Sequence, residues 1–354
     1  MKQVFMKIKQ WISAFPLGTF LSFLGITAII LIVSVCMVLA VGSDLNEAFS
    51  GFVRGIIGSP YNFGEVLVRA APLILAGLGV MASFRTGFIN IGAEGQIYMG
   101  AIGFTFAGLF LPALPPWLML PAGVLAGFFL GGIWSLIPGF LKARFGISEI
   151  INTIMFNYIA INLTGLLLQT VLGDPASHFP MSPMVGARFP ILFPATRLHA
   201  GFVLALLAAF AVHLLLFRTS RGFQMRAVGL NARACACTGI SPYKNIVFSS
   251  FLSGGLAGMA GLGEVAGLHH RLLEGISPGF GYTAIIVSLL GRNHPAGVVI
   301  SALGIAALQM GSRSMERTGV PTAIATVIMG LTVLLILSRK NVFAPLLKLD
   351  KKEV

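Results

Sequence analysis

Side chains capable of chemistry are sparse in this chain. The densest group lies in Phe84-Arg85-Thr86-Gly87-Phe88-Ile89-Asn90-Ile91-Gly92-Ala93-Glu94-Gly95-Gln96. Asn90, Glu94 and Gln96 bring two amides and a carboxylate into a stretch that otherwise reads as an apolar helix. Each costs a few kcal/mol in hydrocarbon unless it is satisfied. The interleaved glycines favour a discontinuous helix whose freed amides face a cavity. Two readings stay open for each side chain: the lining of a polar pathway, or hydrogen bonds to a neighbouring helix or to backbone. Further along, Asn152, Asn157 and Asn162 recur every five residues and share no single stripe; Asn157, the deepest, is the cavity-facing choice. Glu264 lies within a glycine-rich run, Gly254 to Gly267, whose G-x-x-x-G spacings suit close helix packing. A cavity role and a solvated helix end are both open for it.

Other chemistry is missing. The chain has no G-x-x-x-x-G-K-[ST] loop to cradle ATP and no H-E-x-x-H pair. No Ser, His and Asp stand in a recognisable triad order, and no cluster has metal-ligand spacing, so catalytic and metal residues are expected to be none. Of three cysteines, Cys36 sits in an apolar run and Cys235 and Cys237 form a lone C-x-C, which reads as reduced thiols.

The elements that must hold these groups are membrane helices. Of 354 residues, 56% are hydrophobic and 10% charged, with mean hydropathy +0.91. A soluble domain carries about 25% charged residues. That excludes a cytosolic enzyme and, despite a net charge of +13, a nucleic-acid binder. The apolar runs are continuous rather than alternating, so an all-α polytopic bundle is expected, not a barrel. Ten spans are read near residues 19–41, 66–84, 88–111, 117–141, 150–172, 200–217, 245–265, 282–291, 297–312 and 321–338. The charge-free stretch from Gln10 to Ser43 is too long for a signal peptide's apolar core, so it reads as an uncleaved first span. With both termini cytoplasmic, most of the 24 basic residues fall on the inner side.

One membrane domain, 1–354, is expected. It has a cytoplasmic start (1–18), an external loop (173–199) extended by five prolines, a basic internal loop (218–244) and a cytoplasmic tail (339–354). Gly279 to Gly297 has an apolar middle too short to span comfortably and reads as a second broken helix. It stands in the second half about where the Asn90 break stands in the first, the pattern of an inverted repeat. In the internal loop, Gly229 and Asn231 offer a turn before a short Ala-rich helix.

Several separated motifs carry a family resemblance: F-R-T-G-F-I-N-I-G-A-E-G-Q, S-E-I-I-N-T-I-M-F-N-Y-I-A, R-A-V-G-L-N and S-L-L-G-R-N-H-P-A-G. Over about Val66 to Leu337 the chain resembles permease subunits of ABC importers of the branched-chain amino acid/ribose superfamily, most of all the nucleoside and simple-sugar branch. The resemblance implies a bacterial inner-membrane importer working by alternating access. It implies two cytoplasmic ATPase subunits, a second permease (same or paralogous) and an extracytoplasmic substrate-binding protein. ATP and magnesium would bind the partner ATPase, leaving this chain without a cofactor, its other contacts being membrane lipid. By matched motif, Arg226, Gly229, Asn231, Ala232, Arg233 and Gly239 fall in the segment that couples to the ATPase. Ala232 replaces the family's proline, a change expected to loosen the turn. A nucleoside suits a lining of amides with aromatic faces, for which Phe84, Phe88 and Tyr282 are candidates; ordinary packing is their alternative. An ion-coupled secondary transporter, with Glu94 and Glu264 as coupling groups, is the rival reading.

Overall fold

A computed structural model describes residues 17–111 and 115–321, with scattered helical positions from 323 to 334. The expected cytoplasmic start, the centre of the proline turn at 112–114, the tail and most of the last span lie outside the described residues. The helices are α1 (Leu17–Ala40), α2 (Leu45–Ile57), α3 (Pro60–Phe84), α4 (Ala93–Phe110), α5 (Pro116–Phe145) and α6 (Glu149–Gln169). They continue with α7 (Gly201–Arg218), α8 (Ser220–Leu230), α9 (Ala232–Cys237), α10 (Pro242–Glu264), α11 (Phe280–Leu290) and α12 (Pro295–Glu316). Among the described residues, six helices are long and apolar enough to cross a membrane: 60–84, 118–145, 149–169, 201–218, 242–269 and 295–316.

The chain, expected as one domain, divides into two compact units, one of residues 59–307 and one of the residues before and after. In the terminal unit, α2 has no counterpart among the expected spans. Asp44 starts it by accepting the N–H groups of Asn46 and Glu47, a standard N-cap. Its Ala48 packs with Val38, Met315 and Val320.

In the central unit, α10 is the axis. A Cβ on Gly258 would meet the Gly127 carbonyl and the Gly100 Cα, so α4 and α5 both reach the α10 backbone there. The first G-x-x-x-G pair thus does the packing expected of it. The second does not: Gly263 faces open space, and Gly267 lies against the His199 ring. α10 runs on into a π-helical turn, Val265–His269, closed by His270 N–H to Val265 O at 2.8 Å. α5 ends at Gly146, whose φ of +69° suits glycine. Across that turn Lys142 pairs with Glu149 at 2.7 Å, fixing the start of α6; Ser148, just before it, makes no side-chain cap bond.

The segment 173–199 lies largely at the surface, but it is packed down rather than free. Val185, Phe189 and Leu198 are buried. Backbone bonds stitch it to the chain after α10: Ser182 N–H to Leu272 O (2.9 Å), Val185 N–H to His270 O (2.9 Å) and Phe189 N–H to Ala266 O (3.0 Å). Prolines remove donors only at their own positions; the residues between them still pair.

Candidate functional site

Residues 85–92 are not helical, so the span expected from residue 88 starts only at Ala93. α3 ends at Phe84, α4 begins at Ala93, and Gly87 turns the chain between them with φ +80°. Asn90 holds the bend. Its Oδ1 accepts the N–H of Gly92 at 2.8 Å, and its Nδ2 donates to Ser253 Oγ on α10 at 2.8 Å. Asn90 and Gln96 also exchange two amide hydrogen bonds, at 3.0 and 3.1 Å. Asn157, on α6, accepts the N–H of Gly95 at 2.8 Å and donates to Ile91 O at 3.0 Å. The structure therefore gathers Asn90, Gln96 and Asn157 in one place, 0 to 1% exposed. In this conformation their polar atoms face each other, the Ser253 hydroxyl and the main chain.

Glu94 joins the same region from the first turn of α4. Its Oε2 accepts the N–H of Gly281 at 2.7 Å, at the start of α11. A Cβ on Gly281 would collide with the Glu94 backbone, so α4 and α11 touch N-terminus to N-terminus. Each helix start carries partial positive charge, and one carboxylate serves both. Phe88 is fully buried, Phe84 half-buried, and Tyr282 41% exposed.

Glu264 lies elsewhere, and not on a solvated helix end: it is 6% exposed, with His269 Nε2 3.7 Å from its carboxylate. Nearby α3 and the 173–199 segment are joined by an ion pair absent from the sequence reading. Arg197 holds Glu65 in a bidentate grip, Nε at 2.7 Å and Nη2 at 2.5 Å, and Glu65 is 4% exposed. The bond to Glu65 pushes the Arg197 guanidinium further up. His199 stacks on Phe189 and accepts the Gly201 N–H through Nδ1 at 3.1 Å, so Nε2 carries its proton. Burial, then the neighbouring His270, lowers it to about 4. Glu65 and Arg197 are 132 residues apart, and an unpaired acid early in a span was the one signal available.

At the other end of α3, the α8–α9 pair forms the surface. Thr219 caps α8, and Asn231 both ends α8 and starts α9, its Oδ1 accepting the Ala234 N–H at 3.0 Å. Ala232 is the first residue of α9, a position that tolerates proline. Alanine there leaves the turn closed, because the Asn231 cap does not depend on it. Leu230, Asn231, Ala232, Arg233 and Gly239 are exposed, Leu230 at 89%. Gly229 rests on the break itself: a Cβ there would strike the carbonyl of Arg85. Arg226 and Arg85 both lie over the Phe217 ring, at 5.1 and 5.7 Å. Arg85 Nε donates to Asn293 O at 2.7 Å. Burial and the Arg226 charge lower the Arg85 guanidinium. Cys235 is buried and Cys237 exposed, both free thiols; no group of metal-ligating side chains occurs among the described residues.

A multi-helix membrane protein in which two helices meet start to start, with a short exposed helix pair resting on the connection before one of them, has the build of a transport subunit. Residues 62–337 match the branched-chain amino acid transport system permease component family, and the chain belongs to that family. It is 35% identical to the guanosine ABC transporter permease protein of Bacillus subtilis, over 95% of this chain and 96% of that protein. It is 33% identical to a glucose ABC transporter permease protein of Haloferax volcanii, over 84% and 82% of the two chains. It is 30% identical to a nucleoside ABC transporter permease protein of Lactococcus lactis, over 82% and 83%.

Proposed function

We propose that this chain is the membrane subunit of an importer that carries nucleosides, or a related simple sugar, through a bacterial cell membrane. The observation that carries the reading is the seat of Gly229 on the Arg85 carbonyl. It joins an exposed helix pair, suited to a cytoplasmic ATPase, to the bend that holds Asn90 and leads into Glu94 and Gln96 at the start of α4. The likeness to guanosine and nucleoside permeases supports the solute class, and the glucose permease supports the sugar alternative.

Two ATPase subunits bind ATP and magnesium, and this chain holds neither. It pairs with a second permease, itself or a paralogue, and an external binding protein supplies capture affinity. About ten spans, with both termini cytoplasmic and the two breaks in inverted halves, fit the distribution of positive charge. Movement of α8–α9 shifts the Arg85–Gly92 bend. The Asn90–Gln96–Asn157 bonds then exchange for contacts with the solute, with Phe84, Phe88 and Tyr282 as aromatic neighbours. Glu264 lies toward the external mouth.

Uptake competition tests this reading. Cells with the chain are expected to take up labelled guanosine, and unlabelled nucleosides to compete more strongly than pentoses, free bases or branched-chain amino acids. Competition by branched-chain amino acids alone, or equal uptake without the chain, would overturn it.

A further inference from the structure

One short segment holds α11 at both ends. At its start, the Gly281 N–H donates to the Glu94 carboxylate at 2.7 Å. At its end, Arg85 Nε donates to the carbonyl of Asn293, in the turn that follows Leu290, at 2.7 Å. Both grips come from residues 85–94, and α11 has 11 residues, a length of about 16 Å. An acid at the start and a cation near the end match the two poles of the helix. The middle is fastened as well: Val287 is fully buried, 3.0 Å from where a Cβ on Gly77 of α3 would lie.

The far turn depends on outside support. Arg292 and Asn293 have φ of +53° and +51°, the left-handed region that side chains disfavour. The Ser288 hydroxyl donates to Asn293 Oδ1 at 2.8 Å, and the Asn293 N–H donates to Ser288 O at 3.0 Å, which ties this turn to the last turn of α11. Arg85 thus holds α11 itself and not a loose loop. In turn, α8 meets Arg85 twice. Gly229 lies on its carbonyl, and the Arg226 guanidinium shares the Phe217 ring with its side chain. Among the described residues no ion pair joins either arginine to an acid, so the two like charges share the ring without a carboxylate between them.

We propose that Arg85 is a positioning residue for transport: it passes movement of α8 to α11, and α11 shifts with residues 85–94 as one body. The main-chain carbonyl of Arg85 receives α8, and its side chain grips the far end of α11. The Glu94 bond fixes the near end, so neither end of α11 moves without the segment. Tyr282, exposed in the first turn of α11, is carried along. The transport reading supplies the source of the movement; the hold on both ends of α11 stands on the geometry alone.

Hydrogen exchange of the full chain in mild detergent tests the joint hold. Glu94→Ala is expected to speed exchange at residues 291–294 as well as 281–284. Arg85→Met is expected to act at 281–284 as well as 291–294, each by about tenfold or more relative to α5 in the same sample. Glu94→Gln, which keeps an acceptor, is expected to show the same pattern at smaller size. An effect confined in each variant to its own end of α11 would overturn the proposal. In the chain reconstituted with its ATPase and binding protein, Arg85→Met is expected to carry about tenfold less solute per ATP hydrolysed, at an unchanged solute KM. Arg85→Lys, which still donates to the Asn293 carbonyl, is expected to restore most of that ratio. A structural role alone would lower hydrolysis and uptake together, and such a constant ratio would overturn the proposal. Hydrogen exchange needs no ATPase, binding protein or solute, so failure there leaves the transport reading standing; absence of uptake by the wild-type chain would overturn that reading instead.

Discussion

The Glu94 carboxylate accepts the backbone N–H of Gly281 at 2.7 Å, across 187 residues of sequence. Through this bond α4 and α11 meet at their starts inside the protein. A buried carboxylate facing two helix N-termini stabilises both, and its loss leaves amide donors without an acceptor.

Glu94→Gln keeps an oxygen that accepts from Gly281 but loses the charge. It is expected to lower stability by about 1–2 kcal/mol, the difference between a charged and a neutral acceptor. Glu94→Ala removes the acceptor altogether and is expected to cost more, about 3 kcal/mol or above. Thermal unfolding in one detergent orders the two variants; equal Tm values would show that the carboxylate does not bridge the helices.

Asn157 and Asn162 look alike in the sequence but differ in role. Asn157→Leu strands the buried Gly95 N–H, at roughly 1–3 kcal/mol, and the part-buried Ile91 carbonyl, at less. Asn162 is bonded only to Tyr158 O within its own helix, and Asn162→Leu is expected to stay within about 0.5 kcal/mol. Unfolding of the two variants side by side checks the contrast. A Tm for Asn157→Leu equal to that of Asn162→Leu would contradict it.

Six of the ten expected spans, and the polar interruption after the second, were legible because apolar runs and their interruption are local signals. Asn90, Glu94 and Gln96 stand out wherever a helix should be uniformly apolar. Their partners did not, because Gly92, Gly95 and Gly281 act through backbone N–H groups, which every non-proline residue carries. The short helix α2 was missed because its cap, Asp44, reads equally well as part of a loop. The anchoring of 173–199 was not legible because five prolines signal extension, while its pairing to 266–272 depends on the residues between them. The Glu65–Arg197 pair needed a fold to bring it together; neither charge alone names the other.

Stability is expected to depend on pH through His199. Its folded value of about 4 lies below the ordinary 6.5, so between those values the unfolded chain binds a proton that the folded chain does not. Stability is then full above about 6.5 and falls as pH drops toward 4, by at most about 3 kcal/mol. His270, lowered in the same direction by burial, adds to this slope, while the Glu65 carboxylate opposes it. His199→Asn, which retains an acceptor for the Gly201 N–H, is expected to flatten the Tm-against-pH curve over that window. An unchanged slope would show that His199 titrates normally.

The central claim is that α8–α9 transmits ATPase motion to the Arg85–Gly92 bend through Gly229. Its most direct test is nucleoside uptake by the chain reconstituted with its ATPase and binding protein, comparing wild type with Gly229→Val and Ala232→Trp. Gly229→Val presses on the Arg85 carbonyl, whereas Ala232→Trp adds bulk only at the exposed tip and leaves the buried packing alone. Both are expected to insert normally and to lower uptake at least about tenfold, equivalent to about 1.4 kcal/mol of lost coupling. Wild-type uptake in both variants, with the protein correctly inserted, would contradict the account.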